Sequence, residues 1–120
     1  MQRHWEKLLE EDRGGLQLIV DKTWEDAHPG DCFDDAAYDI KDMCDRIDRG
    51  DLDWFMARAR VLVDGLEIGN ACIGGLLYED ARDFLRDCMG EDLILDAMAD
   101  AQGRLTDLAK KFTMLAIKHS

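Results

Sequence analysis

The sequence predicts an α+β fold: an antiparallel β-hairpin packed against three or four helices, with a long C-terminal helix. Three observations carry the prediction. Asp64-Gly65 stands between two apolar runs, the strongest short-range hairpin signal, because both central residues of a type I′ turn need positive φ. The stretch Asp31 to Gly50 repeats its apolar residues at helical period, and so does the stretch from about Glu91 to Lys118, ~40 Å of helix at 1.5 Å per residue. The 120 residues are read as a single domain, 1–120, with one core.

From His4 to Ala27, Trp5, Leu8, Leu9, Leu16, Ile19, Val20, Trp24 and Ala27 fall on one side of a 3.6-residue wheel. One kinked helix, or two stacked end to end, is expected, since the interior pair Gly14-Gly15 costs roughly 1 kcal/mol per glycine. A strand at Leu16 to Val20 is the alternative. Leu-x-Leu-Ile-Val breaks strict alternation, which favours the helix.

His28-Pro29-Gly30 ends that element, because the residue before proline is pushed out of the α region. Asp31 then caps a second helix. Phe33, Ala36, Ala37, Ile40, Met43, Cys44 and Ile47 share its inner face, while Asp31, Asp34, Asp35, Asp39, Asp42 and Asp45 occupy the other side with Tyr38 among them.

The hairpin spans Leu52 to Tyr78. Counting back from the turn, Val63, Val61, Ala59, Ala57 and Phe55 face Leu66, Ile68, Asn70, Cys72 and Gly74 on a buried face. The other face carries Trp54, Met56, Arg58, Arg60 and Leu62 opposite Gly75, Ile73, Ala71, Gly69 and Glu67. Glu79 to Met89 reads as a short helix with Ala81, Phe84, Leu85 and Cys88 inward and Gly90 as its stop. The last helix exceeds what a two-stranded hairpin can cover, so it must also pack on other helices or project and pair with a second copy.

Charge narrows the function classes. Acidic residues number 27 against 15 basic, a net of −12; such a surface repels nucleic acid and anionic membranes and attracts basic proteins. Twenty of the acids are aspartate, although glutamate is the better helix former. The acid is segregated: Asp31 to Asp51 nets −5 and Glu79 to Asp100 nets −6, while Ala101 to Ser120 nets +3. Cys32, Cys44, Cys72 and Cys88 lie far apart without a C-x-x-C pair, as small core residues of a reduced, cytoplasmic chain do. Met1 to Asp12 is too charged for a signal peptide, and no apolar run reaches the ~20 residues of a membrane span.

No catalytic constellation is nominated, and an enzyme is not expected. A hydrolase wants a nucleophile beside a base, yet Ser120 is the one serine, and His4, His28 and His119 are scattered. Gly14-Gly15 and Gly74-Gly75 lack phosphate-loop spacing. Asp51-Leu52-Asp53 and Asp34-Asp35 match no calcium loop. No metal or cofactor is expected. Two surfaces remain. Residues three and four apart on a helix sit ~5 to 6 Å from each other, so Asp31, Asp35, Asp39 and Asp42 would form a ridge of charge spaced like successive phosphates. The bland alternative is a solvated face, partly neutralised by Asp42 with Arg46 and Asp45 with Arg49; a halophilic origin is another. Trp54, Met56, Arg58 and Arg60 form the second surface, a candidate for self-association as a homodimer.

The aspartate row, with the acidic helix Glu79, Asp80, Asp83 and Asp87, resembles the small acidic proteins that phages and plasmids use against bacterial defence, the anti-CRISPR and anti-restriction proteins. The resemblance is one of class and covers about a third of the chain. It implies binding without catalysis, with Asp31, Asp34, Asp35, Tyr38, Asp39, Asp42, Asp45, Glu79, Asp80, Asp83 and Asp87 presented to a basic nucleic-acid-binding protein or complex. Direct contact with nucleic acid or membrane is not implied. The basic end at Lys110, Lys111 and Lys118 departs from a uniformly nucleic-acid-like surface. The alternative function is a homodimeric structural or adaptor module with a merely solvated acidic face.

Overall fold

Two-residue turns with both central residues at positive φ organise the sheet. In this computed structural model, which describes residues 3–119 (backbone alone for Lys118 and His119), Asp64 and Gly65 have φ of 51° and 80°. They join β3 (Asp53–Val63) to β4 (Leu66–Tyr78), the expected hairpin. Gly14 and Gly15, at 59° and 89°, do the same for β1 (Glu6–Arg13) and β2 (Leu16–Trp24). The helix expected over His4–Ala27 is therefore a second hairpin. All four strands form one antiparallel sheet in the order β1-β2-β3-β4.

Helical period arises in this strand pair for two physical reasons. A register shift between Lys7 and Leu9 places an extra residue in β1, which moves the alternation by one. In β2, Leu18, Ile19, Val20 and Asp21 are buried in succession, because an interior strand with both faces covered does not alternate. The α+β class holds, with a four-stranded sheet in place of a single hairpin.

The β3–β4 register also differs from the even count back from the turn. Leu62 pairs with Glu67 but Val61 pairs with Gly69, leaving Ile68 as an inserted residue, and a second shift falls between Phe55 and Ala57 opposite Gly74-Gly75. Gly75 takes φ of 69° there, the left-handed conformation that a bulge asks of glycine. One inserted residue exchanges the faces. Gly69, Ala71 and Ile73 join Val61, Ala59 and Ala57 on the buried side, while Asn70 and Cys72 move opposite Arg60 and Arg58. Cys72 is thus exposed, as are Cys32 and Cys88, and Cys44 is half-buried; all four are free thiols. The expectation of cysteine as a core residue is corrected accordingly.

The buried face carries the core: Leu18, Val20, Phe55, Ala57, Ala59, Val61 and Leu76 from the sheet, and Phe84, Leu93, Ala97 and Ala101 from the C-terminal elements. A 3-10 helix (Ala81–Arg86) seats Phe84, whose ring lies 6.0 Å from both Phe55 and Tyr78. The long helix α3 (Cys88–His119) follows. Gly90, expected to stop a helix, lies inside α3, where a Cβ would stand 2.1 Å from the Phe84 carbonyl oxygen. The Tyr78 hydroxyl donates to Asp87 at 2.7 Å. Burial, then the Asp87 carboxylate, pushes the phenol up to about 12 from 10. Since its neutral form is favoured in the fold, this stabilisation is complete below pH about 10 and is lost as pH rises through about 12. Phenolate absorbance during alkaline titration should show one tyrosine ionising near 12, and Tyr78→Phe should remove that component.

The opposite face of the sheet is closed by its own side chains. Asp21, 4% exposed, accepts from Arg58 Nε at 2.7 Å and Arg58 Nη2 at 3.1 Å, and from Arg60 Nη2 at 3.3 Å. The Arg58 guanidinium lies 3.8 Å from the Trp5 ring centroid. The arginines therefore find their acid on β2.

Candidate functional surfaces

The loop from Glu25 to Leu52 carries the predicted aspartate row. Its start is fixed by Glu25, whose carboxylate accepts from Gly75 N–H at 3.1 Å and Ala27 N–H at 3.2 Å, and by Trp54 Nε1, which donates to the Ala27 carbonyl at 2.8 Å. Two short helices follow, α1 (Pro29–Cys32) and α2 (Ile40–Asp48). The helix expected to run from Asp31 to Gly50 is interrupted because two of its aspartates bond to the backbone. Asp34 accepts from Ala36 N–H at 2.9 Å, and Asp39 accepts from Asp42 N–H at 3.1 Å as the N-cap of α2. Short aspartates offer the chain this alternative to helix interior positions. The single helical ridge Asp31, Asp35, Asp39 and Asp42 therefore does not form.

Several of these residues still meet. A cleft of about 480 Å³ is lined by Tyr38, Asp39, Asp42, Arg46 and Glu79, among others, and a neighbouring one of about 530 Å³ by Asp35, Tyr38 and Asp39. Glu79 and Asp80 also line a larger cleft of about 720 Å³. Shared linings join Asp35, Tyr38, Asp39, Asp42, Glu79 and Asp80 into one acidic end, with Lys41, Arg46 and Arg82 standing among them. Asp31 and Asp45 are exposed on α1 and α2, and Asp83 lies on the 3-10 helix beside Arg86. Asp87 is engaged with Tyr78.

The expected neutralising pairs are replaced by others. Arg46 approaches Glu79 at 3.9 Å and Arg49 approaches Asp51 at 3.3 Å. Asp31, Asp35, Asp42 and Asp45 have no ion-pair partner among the described residues. Asp80 caps the 3-10 helix, and hydrogen bonds from the Arg82 side chain and backbone hold its carboxyl down to about 2. The 720 Å³ cleft contains a charge cluster that the helical reading of residues 4–27 concealed: Lys22 contacts Asp53 and approaches Glu6 at 3.5 Å. Burial acts to lower the Lys22 ammonium and the two carboxylates raise it, with a net upward shift.

Of the candidate self-association residues, Trp54 is buried, Arg58 and Arg60 are held by Asp21, and Met56 is half-buried. The imidazole of His28 accepts from Gly30 N–H at 2.9 Å through Nδ1. Among the described residues, no group of three His, Cys, Asp or Glu side chains could hold a metal ion. Ser120 and the side chains of Lys118 and His119 lie outside the described residues.

The remaining surface is α3 itself. Its first half rests on the sheet through Leu93, Ala97 and Ala101, whereas residues 102–117 are all exposed, and the molecule extends 67 × 32 × 27 Å. Beside the helix runs a groove of about 620 Å³ with Leu16 and Ile68 on its far wall and Leu95, Met98, Gln102 and Leu105 on its near one. Among the described residues no helix is long and apolar enough to cross a membrane.

Fold and surfaces define a small acidic α+β chain with a projecting helix. No protein-family model, curated protein or solved structure matches it.

Proposed function

We propose that this chain is a non-catalytic binding protein that presents its acidic end to a basic, nucleic-acid-binding partner, as an inhibitor of the anti-CRISPR or anti-restriction type. The supporting observation is the run Asp35, Tyr38, Asp39, Asp42, Glu79 and Asp80 around adjoining clefts, in which Asp35 and Asp42, like the exposed Asp45, have no ion-pair partner among the described residues. A groove built to hold phosphates offers Lys and Arg donors at the spacing of successive anions, and exposed carboxylates compete for them. Tyr38, 51% exposed and braced by Phe33 at 5.1 Å, adds an aromatic anchor of the kind enriched at interfaces.

The test reverses Asp35, Asp42 and Asp45 to lysine. Asp39 is left intact, since its cap supports α2. Affinity capture from a bacterial lysate at low salt should retain nucleic-acid-binding proteins that elute at high salt. The triple variant should bind the captured protein about 100-fold more weakly while its thermal midpoint falls by only a few degrees, the cost of a base in the first turn of α2. Equal affinity in the variant, or capture indifferent to salt, would refute the reading.

A further inference from the structure

The side of α3 beside the groove carries a pattern of which the core uses Met98 alone. Leu95, Met98, Gln102, Leu105, Ala109 and Phe112 follow one another at alternate steps of three and four, the spacing selected by a second helix wound alongside. Leu95 is 59% exposed and Phe112 65%, so the seam is open. It begins in the groove walled by Leu16 and Ile68 and continues onto the projecting half.

The chain holds both halves of a matched contact. The groove is apolar and empty of side chains; the projecting half is an apolar helix of ~24 Å at 1.5 Å per residue, against ~21 Å for the half that lies on the sheet. The distribution of charge along the axis favours one direction. Residues 88–100 hold Glu91, Asp92, Asp96 and Asp100 with no base, and residues 101–117 hold Arg104, Lys110 and Lys111 against Asp107 alone. Parallel pairing would set acid beside acid, whereas antiparallel pairing sets each basic half beside the acidic half of the other copy. A two-fold axis then satisfies both grooves at once, as an isologous contact requires. We propose that the chain forms an antiparallel homodimer in which α3 packs along α3 of a second copy, each projecting half occupying the other copy's groove.

The seam shares no residue with the acidic end, so this proposal stands apart from the binding function. Sedimentation or light scattering at micromolar concentration should give twice the 13.7 kDa chain mass. Phe112→Asp should weaken association about 100-fold or more, since a charge replaces a buried aromatic, while Met114→Asp, on the far side of α3, should leave it unchanged. Gln102→Lys should weaken association, and adding Leu105→Glu should restore part of it, since the two-fold sets position 102 against position 105 of the other copy. In a parallel pair like charges would meet at both positions, and the second change would weaken association further. A wild-type monomer, a dimer that survives Phe112→Asp, or a double variant that associates no better than Gln102→Lys alone would overturn the proposal.

Discussion

Gly69→Val is expected to lower stability by about 3 kcal/mol, the upper part of the usual cost of overpacking. Strand propensity alone predicts the opposite sign, because a β-branched residue outranks glycine in a strand by up to about 1 kcal/mol. Contact decides. A Cβ at Gly69 would stand 2.6 Å from Ala101 N, 2.7 Å from Ala97 O and 2.7 Å from Ala101 Cβ. Two of those atoms are helix backbone and cannot move alone, so α3 must lift from the strand and open the layer that contains Leu93 and Ala97. Chemical denaturation should report the loss, with a fall in thermal midpoint of about 10 °C. Gly65→Ala serves as the contrast: a Cβ there meets nothing within 4 Å, and its cost arises from φ alone. A Gly69→Val protein as stable as the wild type would mean that α3 does not rest on β4.

That contact also shows how far the sequence was legible. Asp64-Gly65 and the long apolar stripe of α3 carry their signals locally, and both elements stand where those signals place them. The buried β3 face of Phe55, Ala57, Ala59 and Val61 is equally plain, because β3 alternates without interruption until Leu62. On β4 the alternation is broken by Ile68, and nothing within the strand announces an inserted residue. Gly69 therefore reads as an outward position although the helix backbone lies directly against it. Gly14-Gly15 is a two-residue turn as permissive as Asp64-Gly65, but the bulge in β1 and the double burial of β2 overlay a helical period on it. In the acidic loop the residue types were legible and the path was not. Asp34 and Asp39 bond to the chain's own backbone, so a charge row that looks continuous on a wheel is divided between a turn, a cap and a short helix. The segregation of charge along α3 was readable from composition; its meaning depended on seeing that the basic half leaves the sheet.

Asp21→Ala is the second large effect, with an expected loss of about 3 kcal/mol. Removing one member of a buried ion pair costs roughly 3 to 5 kcal/mol because the remaining charge stays desolvated. The lower end applies, since the Arg58 and Arg60 side chains are 26% and 25% exposed and retain some water. Asp21→Asn keeps an acceptor without the charge and should lose about half as much. The informative variant replaces the whole group, Asp21→Leu with Arg58→Met and Arg60→Leu, and should recover most of the stability lost by Asp21→Ala, because no buried charge is left alone. Arg58 packs on Trp5 as well as on Asp21, so the recovery should be incomplete by the cation–π contribution of about 1 kcal/mol. A cost below 1 kcal/mol for Asp21→Ala would mean that water reaches the arginines readily and that the open face of the sheet is solvated. A full cost with recovery in the triple variant would mean that this face is sealed from within by one aspartate, so that β3 needs no covering helix and the projecting half of α3 is free to extend beyond the sheet.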